Sequence, residues 1–230
     1  MLTITPVDTV PVLLAPRTSP VLVDLMSAYA RSQSVRTVAV VGNAPLAPDS
    51  ARAAAIDDCD LVVRVNGFAL DDPGRPATLG RRADVVVLQW AVKATPWLFE
   101  DYSRRLYLLN EPGRLHWDVE VVPAWWPRDL GIVPVPNREV TLPLVAELGL
   151  ADAERPRWAT TGTTAVALAR HTFPDAALRV AGFSFLDDPT QRSWAHAHGA
   201  PCAVNDEHDL QAEATLLRQM AAAGRLEVLR

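Results

Sequence analysis

Three of the four histidines in the C-terminal third of the chain are candidates for proton transfer. His196 and His198 lie in the segment WAHAHG, and His208 opens the segment HDLQAE, with Glu213 five positions further on. An imidazole titrates near neutral pH, so it can accept the proton of a hydroxyl group without being permanently charged. Glu213 is placed either to orient the ring of His208 or to cap the start of the helix that follows. A solvent-facing His208 in the first turn of that helix is the alternative interpretation.

A second candidate site lies where an apolar run meets Gly42 and Asn43, in the stretch TVAVVGNAPLAPDS. Gly42 lets the backbone turn tightly after a strand. The amide of Asn43 can donate to a phosphate oxygen, and the loop leads into a helix N-terminus, which favours anions. The further glycines of a dinucleotide fingerprint and the lysine of a P-loop are missing, which argues against NAD and FAD. A plain strand-to-helix turn is the alternative.

Helices and strands that alternate along the chain must position these residues. Apolar runs predict strands at residues 38–41, 61–65, 84–88, 106–109, 178–180 and, as an edge strand, 226–229. Periodicity and capping residues predict helices at residues 20–33, 49–57, 139–148, 162–172 and 206–223. This alternation predicts an α/β fold with a mostly parallel sheet and helices on both faces. Ligands of such sheets bind at the carboxyl ends of the strands.

Residues 110–137 contain many prolines and tryptophans and predict an irregular loop that forms a lid or a wall. Trp125 and Trp126 are adjacent, so they face different directions in an extended segment. One of them can stack on a sugar or a base, although packing into the core is the preferred interpretation.

Composition limits the class of protein. The 230 residues carry a net charge of −5, which argues against a nucleic-acid partner. Eighteen consecutive apolar residues occur nowhere, so no membrane span is expected. The N-terminal segment lacks the basic region of a signal peptide. The two cysteines, Cys59 and Cys202, fit reduced thiols, and the protein is therefore expected in the cytoplasm.

Metal binding is not expected. Asp58 and Asp60 flank Cys59 in a DxD pattern, which metal-dependent glycosyltransferases use, but they precede a buried strand in a turn, where aspartate is common. His196, His198 and Cys202 suggest zinc, but no second cysteine lies at ligand spacing.

Read in order, three segments resemble the sialyl motifs of the sialyltransferase family, glycosyltransferase family 29. Residues 40–66 resemble the large motif and keep the family's spacing, in the pattern VVGN…S…ID..D.V.RVN. TTG and VAGF, residues 160–162 and 180–183, resemble the small motif, and HxxxxE, residues 208–213, is similar to the very small motif. Ser50 and Arg64 also match the large motif, and we interpret them as a helix cap and a charge partner at a strand end, with Asp49 as the alternative cap.

The resemblance implies a Rossmann-like fold of the GT-A-variant type, formed by residues 1–230 as one nucleotide-sugar-binding domain. Residues 1–34 would be an N-terminal extension with a helix. The implied activity is the inverting, metal-independent transfer of a sugar from a CMP-activated donor to a small glycan or natural product. The donor would be bound by Gly42, Asn43, Asn66, Thr160, Thr161 and Gly162. His208 would be the general base, and His196 or His198 would contact the phosphate.

The family normally joins a cysteine in each of its two large motifs as a disulfide, and neither position has one here, which fits a short bacterial relative. Another CMP-sugar or cytidine nucleotide is therefore an open alternative for the donor. Two further functions stay open. In one, water replaces the acceptor and the protein hydrolyses CMP or a CMP-sugar. In the other, it binds CMP without turnover.

Overall fold

The computed structural model describes residues 19–111, 123–152 and 154–230. Residues 1–18 of the predicted extension and residues 112–122 of the predicted loop lie outside them. A seven-stranded sheet, in which every pairing is parallel, has the order β5-β4-β3-β2-β1-β6-β9. Its strands are β1 Thr37–Val41, β2 Leu61–Val65, β3 Val85–Leu88, β4 Leu106–Leu109, β5 Ile132–Pro134, β6 Ala177–Ala181 and β9 Glu227–Val228. The α/β fold and its parallel sheet are confirmed.

Helices pack on both faces of the sheet, as predicted. They are α1 Pro20–Ala28, α2 Ser50–Asp57, α3 Leu142–Glu147, α4 Thr161–Thr172 and α5 Leu210–Ala222. On β1, Val38 and Val40 contact the core that α1, α3, α4 and α5 share. Ala39 and Val41 point to the other face, where they pack with Ile56 of α2. This alternation follows from the two-residue period of a strand and explains why both faces of the central strands are apolar.

The structure differs from the sequence-based expectation at several elements, among them helix α5, which begins at Leu210 rather than at residue 206. Residues 110–137 are not irregular throughout, because they include β5, an edge strand that tolerates Pro134 at its end. An antiparallel hairpin, β7 Ser193–Ala195 and β8 Pro201–Ala203, carries the segment WAHAHG and was not predicted. Helix α1 ends at Ala28 rather than at residue 33. In the described part of the chain, no helix is long and apolar enough to cross a bilayer.

Two side chains of the large motif have other roles than expected. Asp49, not Ser50, caps α2, because its carboxylate accepts from the backbone N–H groups of Ala51 and Arg52. Arg64 is fully buried and its hydrogen bonds go to the carbonyl oxygens of Leu79 and Arg82, while the charges of Asp57 and Asp71 favour its charged form without a direct hydrogen bond. Burial lowers the pKa of Arg64 to about 10. Arg64 therefore anchors the loop before β3 to the centre of the sheet.

Candidate active site

A cleft of about 330 Å³ opens at the carboxyl ends of the central strands. The chain lays β2 to β5 on one side of β1 and then returns to place β6 on the other side. The strand order therefore reverses between β1 and β6, which is where ligands of doubly wound sheets bind. All nine residues predicted for the site line this cleft: Gly42, Asn43, Asn66, Thr160, Thr161, Gly162, His196, His198 and His208.

Two glycines let the backbones after β1 and β6 touch at the floor of the cleft. A Cβ on Gly42 would lie 2.3 Å from the carbonyl oxygen of Gly182, and Gly182 itself has φ +72°, in the left-handed region. The contact is closed by a hydrogen bond from the Ala44 N–H to the Gly182 oxygen, 3.0 Å. No larger side chain fits at Gly42 without moving this backbone. Gly182 lies in the segment VAGF, but we did not predict it as a site residue.

Two asparagines follow the ends of β1 and β2. The Asn43 Nδ2 donates to the carbonyl oxygen of Val65, 2.8 Å, and the side chain is nearly buried. Its NH2 group carries a second hydrogen that can serve a ligand. Asn66 has φ +50° and accepts at Oδ1 from the Gln89 N–H, 3.2 Å. A left-handed asparagine held by a neighbouring strand end is the kind of constrained residue that occurs at binding sites.

The first turn of α4 forms another wall and is held by a carboxylate from α5. Thr160 caps α4 by accepting from the Thr163 N–H, 3.3 Å. Glu213 is fully buried and accepts from the Thr160 N–H, 3.0 Å, from the Thr160 hydroxyl, 2.6 Å, and from the Thr163 hydroxyl. Burial raises the pKa of Glu213. Glu213 therefore positions α4, and it neither bonds the ring of His208 nor caps α5, whose cap is Asp209.

The surroundings of His208 fix which of its nitrogens is free. Nδ1 lies 2.9 Å from the carbonyl oxygen of Trp158. A carbonyl oxygen only accepts, so Nδ1 carries the proton and Nε2 of the neutral ring keeps its lone pair. The nearest carboxylate to Nε2 is that of Glu207, 3.9 Å away. His208 is thus arranged as a proton acceptor on the wall of the cleft.

His196 and His198 differ from each other in which ring nitrogen is free to contact a ligand. The Trp194 Nε1–H donates to Nδ1 of His196, 3.3 Å, so a neutral His196 carries its proton on Nε2. Nε2 of His198 instead donates to the carbonyl oxygen of Gly67, 3.0 Å. Burial lowers the pKa of both rings, which favours their neutral forms. In those forms His196 offers a free N–H and His198 offers a free lone pair.

The β7–β8 hairpin is tied to the ends of β1 and β2. The Ala197 N–H donates to the Asn43 carbonyl oxygen, 2.7 Å, and the His198 ring reaches the Gly67 oxygen from the same turn. These two bonds place His196 beside the loop that follows β1. The hairpin therefore forms a further wall of the cleft.

The sequence matches no family model and no curated protein. Its fold is similar to two solved structures of a mammalian sialyltransferase. One was determined in complex with Gal-beta-1-3GalNAc-ortho-nitrophenol and has TM-score 0.58 at 18% identity, over 85% of this chain and 70% of that chain. The other has TM-score 0.56 at 18% identity, over 85% and 69%. The chain has a sialyltransferase-like fold.

Within this sialyltransferase-like fold, the DxD pattern is structural. Asp60 accepts from the backbone N–H groups of Arg36 and Thr37, 2.9 and 3.0 Å, and ties the start of β1 to the start of β2. It thus lies at the amino ends of the strands, away from the cleft. Cys59 is fully buried, and both Cys59 and Cys202 are free thiols. Across residues 19–111, 123–152 and 154–230, no three metal-ligating side chains come together.

Several residues of the cleft were missed by the sequence analysis. They are Gly67, Gln89, Lys93, Gly182, Phe183, Ser184, Gln191, Trp194 and Asn205. Gly182 and Phe183 lie within a quoted motif, so that motif was the signal that could have found them. Lys93 had a different signal, because it is the only lysine in the chain.

Proposed function

We propose that the protein is a metal-independent, inverting glycosyltransferase that takes a sugar from a CMP-activated donor. In this proposal His208 is the general base that activates the acceptor hydroxyl. Gly42, Asn43, Asn66 and the first turn of α4 hold the donor, and His196 contacts its phosphate. We propose CMP as the nucleotide and inversion at the anomeric carbon on the basis of the motif resemblance. The sialyltransferase-like fold is consistent with both.

The observation that carries the proposal is the convergence of three distant motifs on one cleft. Residues 40–66, 160–162 and 208 are far apart in sequence, yet their site residues line the same space. The alternative interpretations of Gly42–Asn43 as a plain turn and of His208 as a solvent-facing residue do not account for this convergence. A cleft of this size at a strand-order reversal is typical of a small-molecule site.

The proposed reaction moves one proton and exchanges one bond. The acceptor hydroxyl gives its proton to Nε2 of His208, and its oxygen bonds to the anomeric carbon of the donor sugar. The bond from that carbon to the phosphate oxygen breaks, and CMP leaves with the electron pair. The Nε2–H of neutral His196 stabilises the charge that forms on the phosphate. His198 lacks a free N–H in its neutral form, so His196 is the better candidate.

A glycan is the proposed class of acceptor. The mammalian sialyltransferase of one similar structure is in complex with a disaccharide derivative. In this chain Trp126 is buried and stacks on Trp90, with ring centroids 5.1 Å apart, whereas Trp125 is 47% exposed. An exposed indole can stack on a sugar ring. Trp125 is not among the residues that line the cleft, so it is our candidate for contact with a part of the glycan that extends beyond the cleft.

A thermal-shift panel tests the donor nucleotide. CMP at about a hundred times its dissociation constant should stabilise the native state by about 2.7 kcal/mol and raise the melting temperature by several degrees. UMP, GDP and NAD at the same concentration should shift it much less, because the site is proposed to select cytidine. Equal shifts across the panel would contradict the CMP assignment.

Product analysis separates transfer from the two alternatives. The protein is incubated with CMP-sugars and with glycan acceptors, in the presence and absence of a chelator. Transfer predicts a new glycoside with inverted anomeric configuration and no effect of the chelator. Free sugar that forms equally with and without an acceptor would indicate a hydrolase. Tight CMP binding with no product from any pair would indicate a binding module.

A pair of substitutions tests the assignment of His196. His196→Phe removes the Nε2–H and should lower kcat about tenfold, whereas His196→Gln keeps an N–H donor and should lose less. The same pair at His198 should alter kcat less, because that ring already donates to Gly67. Steady-state kinetics of the four variants measure this difference. A larger loss at His198 than at His196 would reverse the assignment.

A further inference from the structure

Lys93 is the only lysine in a chain that contains 21 arginines, and it lines the cleft. Among the described residues that line the cleft, none is an arginine, an aspartate or a glutamate. Lys93 is therefore the one cationic side chain of this lining apart from the histidines. In a protein with net charge −5, the described lining of the cleft thus carries one ammonium group and no carboxylate.

The backbone at Lys93 is fixed, while its side chain is exposed. A Cβ on Gly67 would lie 2.5 Å from the Lys93 carbonyl oxygen, so the segment after β3 packs directly against the end of β2. Two residues further on, the Thr95 hydroxyl donates to the Phe68 carbonyl oxygen, 2.8 Å. The rim is thus anchored at Lys93 itself and two residues after it, while the flexible Lys93 side chain can reach an anion in the cleft.

The charge of Lys93 affects two groups of the β7–β8 hairpin segment, the His196 ring and the Cys202 thiol. Burial, the His198 ring and the charge of Lys93 all lower the pKa of His196. The charge of Lys93 also acts on the thiol of Cys202, on the other strand of the hairpin, although burial dominates there and raises the pKa of Cys202. Lys93, His196 and Cys202 all line the cleft, so the Lys93 side chain and the β7–β8 hairpin border the same space.

We propose that Lys93 binds the phosphate of the nucleotide donor together with the Nε2–H of His196. This inference rests on the proposed function, because the phosphate is that of the CMP-activated donor. The phosphate gains negative charge when the bond to the sugar breaks, so an ammonium at this position favours the transition state over the bound donor. Lys93 is then a donor-binding residue whose loss weakens both binding and turnover.

The main test compares CMP with cytidine, which lacks the phosphate. Lys93→Met should bind CMP about tenfold more weakly than the unaltered protein, while its affinity for cytidine should not change. Lys93→Arg keeps the charge and should recover part of the loss. Arg225→Met is the matched control, because it removes an exposed charge beyond the far end of α5, whose 13 residues span about 20 Å. Its affinity for CMP should not change.

Isothermal titration measures these affinities, and several results would overturn the proposal. One is an unchanged affinity of Lys93→Met for CMP. Another is an equal loss for CMP and cytidine, which would indicate a general distortion of the cleft. A third is a loss only for a CMP-sugar whose sugar bears a carboxylate, which would assign Lys93 to that carboxylate instead.

A labelling experiment separates failure of this inference from failure of the proposed function. An amine-reactive ester acylates Lys93 and the N-terminal amine, and mass spectrometry of peptides quantifies each. CMP and inorganic pyrophosphate should both slow the acylation of Lys93 without affecting the N-terminus. Protection by pyrophosphate but not by CMP would keep Lys93 as an anion-binding residue and end the CMP assignment. Protection by neither would overturn the inference.

Discussion

Replacing His208 with glutamine should lower turnover about a thousandfold while leaving the affinity for CMP within about threefold of its original value. Glutamine can still donate to the Trp158 carbonyl oxygen, so the local structure is kept. It cannot accept a proton, so the acceptor hydroxyl is no longer activated. Single-turnover product formation and CMP titration measure the two quantities on the same preparation.

The expected size of this effect follows from the hydrogen bond at Nδ1. The bond from Nδ1 to the Trp158 carbonyl oxygen, 2.9 Å, removes the other tautomer and leaves the basic nitrogen Nε2 for the reaction. A base that is already oriented in this way does not need to reorganise when the substrate binds. The backbone carbonyl here takes the orienting role that a carboxylate has in many catalytic triads.

Glu207→Gln is the matched control for His208→Gln. Its carboxylate lies 3.9 Å from Nε2 and is about half exposed, so solvent screens its charge and its loss should change turnover by less than about threefold. A His208→Gln protein that keeps more than a tenth of the original turnover would show that another group takes the proton. A large loss of CMP affinity in the same variant would move His208 to the donor side of the cleft.

The strands that border the cleft were predictable because their burial is continuous. All five residues of β2 and all four of β3 are buried, and all nine are apolar except Arg64; such runs, bounded by turn residues, have few other interpretations. The same holds for the floor of the cleft, since a strand followed by a glycine and a helix is a local pattern. The motifs on either side of it then indicated which segments must meet.

Contacts between distant segments were not predictable in this way. Nothing near Glu213 in sequence indicates that its partners are Thr160 and Thr163, 53 and 50 residues earlier. The β7–β8 hairpin has only three residues in each strand, too few for an alternating pattern. Only the tertiary structure therefore distinguishes the hydrogen bonding of His196 from that of His198.

Glu213→Ala should lower the free energy of unfolding by about 3 kcal/mol. The substitution removes the acceptor of the Thr160 N–H and of two threonine hydroxyls at a fully buried position. Unpaired donors in such a site lose their water without gaining a partner. Because the same bonds hold the first turn of α4, the affinity for CMP should fall as well. Urea unfolding and CMP titration measure the two losses.

Glu213→Gln is the control that separates shape from charge. An amide oxygen can still accept from the Thr160 N–H, and the amide NH2 can donate to a threonine hydroxyl that rotates to accept. We therefore expect Glu213→Gln to keep most of the stability that Glu213→Ala loses. Thr163→Val, which removes one of the three donors, should cost about 1 kcal/mol.

The difference in unfolding free energy between the unaltered protein and Glu213→Gln should depend on pH. Burial raises the folded-state pKa of Glu213 above its ordinary value of 4.5, so the folded state binds this proton more tightly than the unfolded state does. The stability of the unaltered protein relative to Glu213→Gln should therefore fall as pH rises from about 4.5 through the folded-state pKa. Taking the difference cancels the other carboxylates, such as Asp49 and Asp60, whose pKa values are lowered and whose stability effects have the opposite sign. A difference that rises with pH would mean that the hydrogen bonds from Thr160 and Thr163 outweigh burial and hold Glu213 as a carboxylate.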